Sequence, residues 1–214
     1  MRRLIFLFLL FLTTASYAQY HSGAIKLGYF NPKAAEGGFI IGYEGGHAVD
    51  RNLIIGWSID WFNKNYTDQS LVSEFNQFDP SIGGELNELR AKTNLHSIPI
   101  MFNLTGKFPL APKMNFYLYG AVGAEVLLIF YRNYENPNDD DFQGAFDFSW
   151  RLGAGYAYRL GHRSEFLIEA TYHDSKPSWT YEVDDRTSGS TRTFERVYDM
   201  SGIMVRAGFR FFFR

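Results

Sequence analysis

Along most of the chain, apolar and polar residues alternate one by one, and on an extended backbone this sends successive side chains to opposite faces. Over residues 53–62 one face reads Leu53, Ile55, Trp57, Ile59, Trp61, wholly apolar, and the other reads Ile54, Gly56, Ser58, Asp60, Phe62. Over residues 115–131 one face carries Phe116, Leu118, Gly120, Val122, Ala124, Val126, Leu128 and Phe130, while Glu125 falls on the other with Tyr117, Tyr119, Ala121 and Gly123. Over residues 146–161 Phe146, Phe148, Trp150, Leu152, Ala154, Tyr156, Tyr158 and Leu160 oppose Asp147, Ser149, Arg151, Gly153, Gly155, Ala157 and Arg159. Less regular alternation adds strands near residues 24–30, 37–44, 94–105, 165–175 and 194–213, so the pattern predicts eight strands.

The connections differ by end. Residues 46–51, 106–113 and 161–164 are short and rich in turn formers, whereas 67–91, 133–144 with its Asp139-Asp140-Asp141 run, and 176–193 are long and polar; 31–36 is the short exception. Short turns at one end with both termini, and long loops at the other, match a transmembrane barrel of the bacterial outer membrane. The faces decide between this and a soluble lipocalin-like barrel with a ligand inside. An eight-stranded interior is narrow, and the polar faces supply the small residues it needs, Ser58, Ala121, Gly123, Gly153, Gly155 and Ala157. The bulky set then points outward, with Trp57, Trp61, Phe116, Phe130, Phe146, Trp150, Tyr156 and Tyr158 as lipid-face and girdle residues. In water such a surface would aggregate.

The inward set is Lys26, Glu44, Asp60, Lys64, Glu125, Asp147, Arg151, Arg159, Glu165, Glu169, His173, Arg206 and Arg210. Both signs are present in similar numbers. Unpaired charge is expensive in a lumen with little water, so a network of paired charges plugging the lumen is expected in place of an apolar core.

The N-terminus adds export. Arg2 and Arg3 precede an apolar run of nine, Leu4 to Leu12, and Ser16-Tyr17-Ala18 supplies small residues for cleavage. Nine residues rise only about 14 Å as a helix, too little to span a bilayer. The expectation is a signal peptide over residues 1–18 and a single barrel domain over 19–214. The 214-residue chain has a formal charge of -2, or -4 once Arg2 and Arg3 are removed, which offers no footprint for nucleic acid. Having no cysteine, it lacks thiolate zinc sites, cysteine nucleophiles and a lipid-anchored cysteine. An aromatic content of 18% beside 20 glycines suits strands facing something apolar.

Leu95-His96-Ser97-Ile98-Pro99-Ile100, then Tyr117-Leu118-Tyr119-Gly120-Ala121-Val122-Gly123-Ala124, then Leu152-Gly153-Ala154-Gly155-Tyr156 and an aromatic final strand together resemble the outer membrane protein β-barrel domain family, which includes small OmpA-type and PorT-like barrels of Gram-negative cells. The resemblance spans the mature chain and implies insertion by the barrel-assembly machinery, with outer-membrane lipid and lipopolysaccharide as surroundings. Barrels of this kind usually end on an aromatic residue, and here Phe213 is followed by Arg214. The expectation is a barrel without a peptidoglycan-binding domain, so the anchoring role of full-length OmpA proteins is not implied.

Candidate chemistry is sparse. A lipid-modifying enzyme needs a serine activated by histidine, and His96-Ser97 is the tempting pair, but neighbours on a strand face opposite ways. His173 falls on the same face as Glu169 and is expected to pair with it structurally. His21, His47, His96, His162 and His173 show no ligand spacing, and Asp139-Asp140-Asp141 lacks a calcium-loop pattern. No helix follows the Tyr43-Glu44-Gly45-Gly46 cluster to present a phosphate site, and Asn65-Tyr66-Thr67 has glycosylation form only. The expectation is an all-β, eight-stranded antiparallel up-and-down transmembrane barrel without cofactor, metal or catalytic residue, acting structurally or through long extracellular loops. A PorT-like secretion or transport role, a lipid-modifying enzyme and a soluble ligand-binding barrel stand as alternatives.

Overall fold

Alternation with β-branched and aromatic residues on the apolar face favours extended chain, and every stretch that shows it carries strand. The computed structural model describes residues 20–67, 92–132, 140–184 and 191–213. The leader expected over 1–18, the Asp139 end of the aspartate run, most of the longest loop and Arg214 lie outside these. The strands are β1 (Tyr20–Pro32), β2 (Gly38–Ala48), β3 (Leu53–Thr67), β4 (Lys92–Ala111), β5 (Met114–Arg132), β6 (Asp140–Arg159), β7 (Ser164–Asp174), β8 (Ser178–Asp184), β9 (Thr191–Val197) and β10 (Gly202–Phe213).

Each of β1 to β6 pairs antiparallel with its successor, β7 pairs with β10, and β10 returns to β1. These eight close an up-and-down barrel. The strand expected over 194–213 is instead two. Residues 198–201 leave the wall and cross inward, where Met200 N–H donates to Ser175 O at 3.0 Å, Tyr198 N–H to Pro177 O at 2.9 Å, and Ala34 N–H to Asp199 O at 2.8 Å. The two pieces differ in role: β10 closes the barrel, while β9 forms a hairpin with β8, which lies in the segment expected to be a loop. That hairpin touches the wall ladder at Phe146–Ser178. At the other end β4 runs to Ala111 through Pro109, with a register shift there, so the turn to β5 is only Pro112-Lys113.

The faces fall as the alternation requires. Ile25, Leu27, Trp57, Trp61, Phe102, Leu118, Phe146, Leu152, Tyr156, Tyr158 and Phe209 point out, and Ala24, Ser58, Tyr117, Ala121, Ala157 and Leu167 are buried inside. The interior has two zones. Toward the long-loop end Phe30, Ile40, Phe62, Leu95, Leu127, Ile129, Tyr198, Met200 and Met204 pack into an apolar cluster. This corrects the expectation that charge alone fills the lumen. Below it, around Tyr117, Tyr119 and Met101, lie the charged side chains.

Candidate functional site in the lumen

Lumen charges reach one another because residues opposite them across the ladder are small. Lys26 stands between Gly42 and Gly208, Arg206 faces Gly28, Glu169 faces Gly155, and Arg151 faces Ala121. The closest fit is at Gly42, where an added methyl would overlap the Asp60 carboxylate.

The ion pairs form one chain of contacts across the barrel. Arg151 and Arg206 both donate to Asp60, the latter at 2.7 Å. Arg206 Nε also donates to Glu169 at 2.8 Å, and Glu169 takes Lys26 at 3.0 Å and the Tyr117 hydroxyl at 2.8 Å. Lys26 continues to Glu44 at 2.6 Å, Glu44 accepts from Arg210 at 2.6 Å, and Glu165, 3.9 Å from Arg210, accepts from Lys107 at 2.6 Å. Lys107 also lies over the Phe212 ring, 4.9 Å from its centre. Each of these charged residues is buried. Such pairing is the condition for tolerating ions out of water.

Three expected lumen residues, Asp147, Arg159 and Lys64, stand apart from this chain near the ends of the barrel, and two more, Glu125 and His173, pair with each other. Asp147 is half-buried near the outer rim and accepts the Lys176 N–H at 2.6 Å. Arg159 has inward parity but is exposed, because it is the last residue of β6 and the wall ends beneath it. Lys64, also half-buried, caps the outer end through Gly37 O at 3.1 Å and Glu36 at 3.3 Å. Lys107, not singled out from the sequence, belongs to the chain; its inward parity on β4 was the available signal, hidden by the turn expected over 106–113.

His173 pairs with Glu125, not Glu169: its Nε2 lies 2.7 Å from Glu125 Oε2, and Ser97 Oγ donates to Glu125 Oε1 at 2.6 Å. The carboxylate therefore sits between serine and histidine, and it holds the hydroxyl proton instead of relaying it to the imidazole. A serine nucleophile needs the histidine in the middle. His96 is on the outer face, where Trp61 Nε1 donates to its Nδ1 at 3.1 Å and the two rings stack. Among the described residues no cluster of three or more histidine, aspartate or glutamate side chains is placed for a metal ion. Outside the wall, at the crossover, burial pushes the Asp199 carboxyl up, but hydrogen bonds from Ser201 and the nearby Lys33 outweigh it and hold the group below its ordinary range.

The outward aromatic residues sit in bands. Trp61, His96, Phe130 and Phe142 form a contiguous group near the long-loop end. Phe108, Phe116 and Tyr156 form another near the short turns, with Tyr158 and Phe166 in the same region. Trp57 and Tyr43 pack together lower on β2 and β3, and Trp150, half-buried, packs on Tyr172. A closed barrel with an apolar outside, a polar inside and aromatic bands is built for lipid.

The model of the outer membrane protein beta-barrel domain matches residues 4–211. The chain belongs to the outer membrane protein beta-barrel domain family. Its place is thus the outer membrane. A search of curated proteins finds no match. Among solved structures, a major outer membrane protein from Thermus thermophilus is similar with a TM-score of 0.62 at 12% identity, over 92% of this chain and 100% of that one. OprG from Pseudomonas aeruginosa gives 0.58 at 13% identity, over 94% and 99%. The Neisserial surface protein A gives 0.52 at 13% identity, over 91% and 97%. At such identities the likeness is one of fold.

Proposed function

We propose that this barrel is a non-enzymatic outer-membrane protein with a plugged lumen, exported by a cleaved leader over residues 1–18, and that its work is structural or done by its extracellular face. The observation that carries the reading is the continuous chain Arg151–Asp60–Arg206–Glu169–Lys26–Glu44–Arg210, buried across the lumen and roofed by Phe30, Phe62, Leu95 and Met200. A solute moving through would have to break ion pairs and then cross an apolar layer. Both are costly where water is scarce. The arrangement of Ser97, Glu125 and His173 gives a hydrolytic reading no support. What is left for contact with soluble partners is the outer rim, including the β8–β9 hairpin, which meets the wall at Phe146–Ser178.

The test is single-channel recording of the refolded full-length barrel in planar bilayers, beside a variant in which the roof and the chain are both cut, Phe62→Ala with Arg206→Ala. The expected result is no steady conductance for the natural protein and ion-conducting events for the variant. Steady conductance of the natural protein would overturn the plugged-lumen reading.

A further inference from the structure

The lipid-facing wall over β1, β2 and β3 is not smooth. A groove of about 620 Å³ is lined by Leu27, Gly28, Phe39, Ile40, Ile41, Trp61 and Asn63. A second, of about 440 Å³, takes in Ile25, Ile41, Tyr43, Ile59, Trp61 and Ile98. The two share Ile41 and Trp61, so they form one track.

Side-chain size and the ladder explain the track. Leu27 pairs across the ladder with Ile41, and Ile25 with Tyr43. The aliphatic side chains make a low floor between the taller rings of Phe39, Tyr43 and Trp61. The β3–β4 ladder, continuous on either side, skips Asp60 and Trp61, which stand opposite Pro99 and Ile98. Proline has no N–H to give to a ladder. The skipped pair borders the lower groove through Ile59, Asp60, Trp61 and Ile98, while the Asp60 carboxylate turns inward to its arginines.

We propose that this track holds one acyl chain of an outer-leaflet lipid as a retained, specific ligand. The membrane location settles which class of molecule meets the wall there, and the polarity along the track settles how it lies. Its walls are aliphatic and aromatic through the region of Ile25, Ile41 and Ile59. Its outer end reaches Asn63, whose amide is half-buried and bonded to Asn94 at 2.7 Å, beside the Trp61–His96 pair of the outer girdle. A lipid with its chain on the floor and its uncharged ester or amide linkage against Asn63 matches that polarity.

The experiment is native mass spectrometry of the full-length barrel extracted from outer membranes and exchanged into detergent. Ile41→Trp and, separately, Leu27→Trp fill the floor; Ile168→Trp on β7, equally outward, is the control. Heat-modifiable gel mobility first selects folded barrel in each sample, which separates loss of the site from loss of the fold. The expected result is one lipid adduct on the natural protein and on Ile168→Trp, and its loss in both floor variants. No adduct on the natural protein, or an adduct undiminished in the floor variants, would overturn the proposal.

Discussion

At the residue scale, stability rests on whether each buried charge keeps its partners. Arg206 joins Asp60 and Glu169 and is 2% exposed, so Arg206→Leu leaves both carboxylates short of a cation inside the wall. The expected loss is about 3–5 kcal/mol in reversible urea unfolding from phospholipid vesicles. Lys33→Ala removes a pair at 3.5 Å whose lysine is 63% exposed, and the same titration should register about 0–1 kcal/mol. Glycines divide in the same way. Gly42→Ala drives a methyl into the Asp60 carboxylate and should cost about 1–3 kcal/mol by overpacking. Gly120→Ala on the lipid face meets only Leu152, at 3.6 Å, and should leave stability unchanged or raise it. Which residues face inward is legible in the sequence, since parity along a strand fixes it. Which of them meet is not, because partners such as Glu125 on β5 and His173 on β7 come together inside only once the sheet curls. The pairing of His173 with Glu169 is what one strand suggests; the closed barrel sends Glu169 to Lys26, Arg206 and Tyr117 instead.

At the element scale, the segment between β7 and β10 departs furthest from simple alternation. Trp179 stacks on Tyr198 at 5.1 Å, and Tyr198 and Met200 sit in the apolar roof, so residues 198–201 act as a plug laid across the outer mouth. Met200 is fully buried, and Met200→Ala should cost about 2–5 kcal/mol through the cavity it leaves. The loss should be local. In hydrogen exchange the amides of Tyr198, Met200 and Ala34, bonded along the crossover, should lose protection while the β5–β6 ladder around Tyr117 and Gly155 keeps it. Uniform loss would make the crossover part of one cooperative unit with the wall. The sequence carries a weak sign of the roof. At the outer ends of the strands alternation fails, as in Leu127-Leu128-Ile129-Phe130, because both lipid and roof ask for apolar side chains there. The break between β9 and β10 was hidden for a related reason: Phe194 to Phe213 keeps enough alternation to read as one strand, and only the inward turn at Tyr198 to Ser201 divides it.

For the whole molecule, the organising fact is an inversion of the soluble pattern: charge inside, Leu, Ile, Val and aromatic residues outside, with lipid as the solvent for the outer face. Composition and face alternation made this legible, since the small residues and the charges share a parity and the bulky ones take the other. A soluble barrel with the same strands would put Leu118 and Leu152 inside. They face out, at 50% and 60% exposure, on the body of β5 and β6. The cost of a charge on this face therefore depends on depth, which no water-facing surface requires. Leu118→Arg and Leu152→Arg should each lose about 2–4 kcal/mol of folding free energy in vesicles, whereas Leu110→Arg, outward beside the short β4–β5 turn, should lose about 0–1 kcal/mol. In detergent micelles, where the apolar layer adapts around the arginine, the contrast should shrink. Equal losses at Leu110 and Leu118 in vesicles would mean that the outward face feels no bilayer gradient. A graded loss ties the alternation first seen in the chain to the thickness of the membrane it is folded to span.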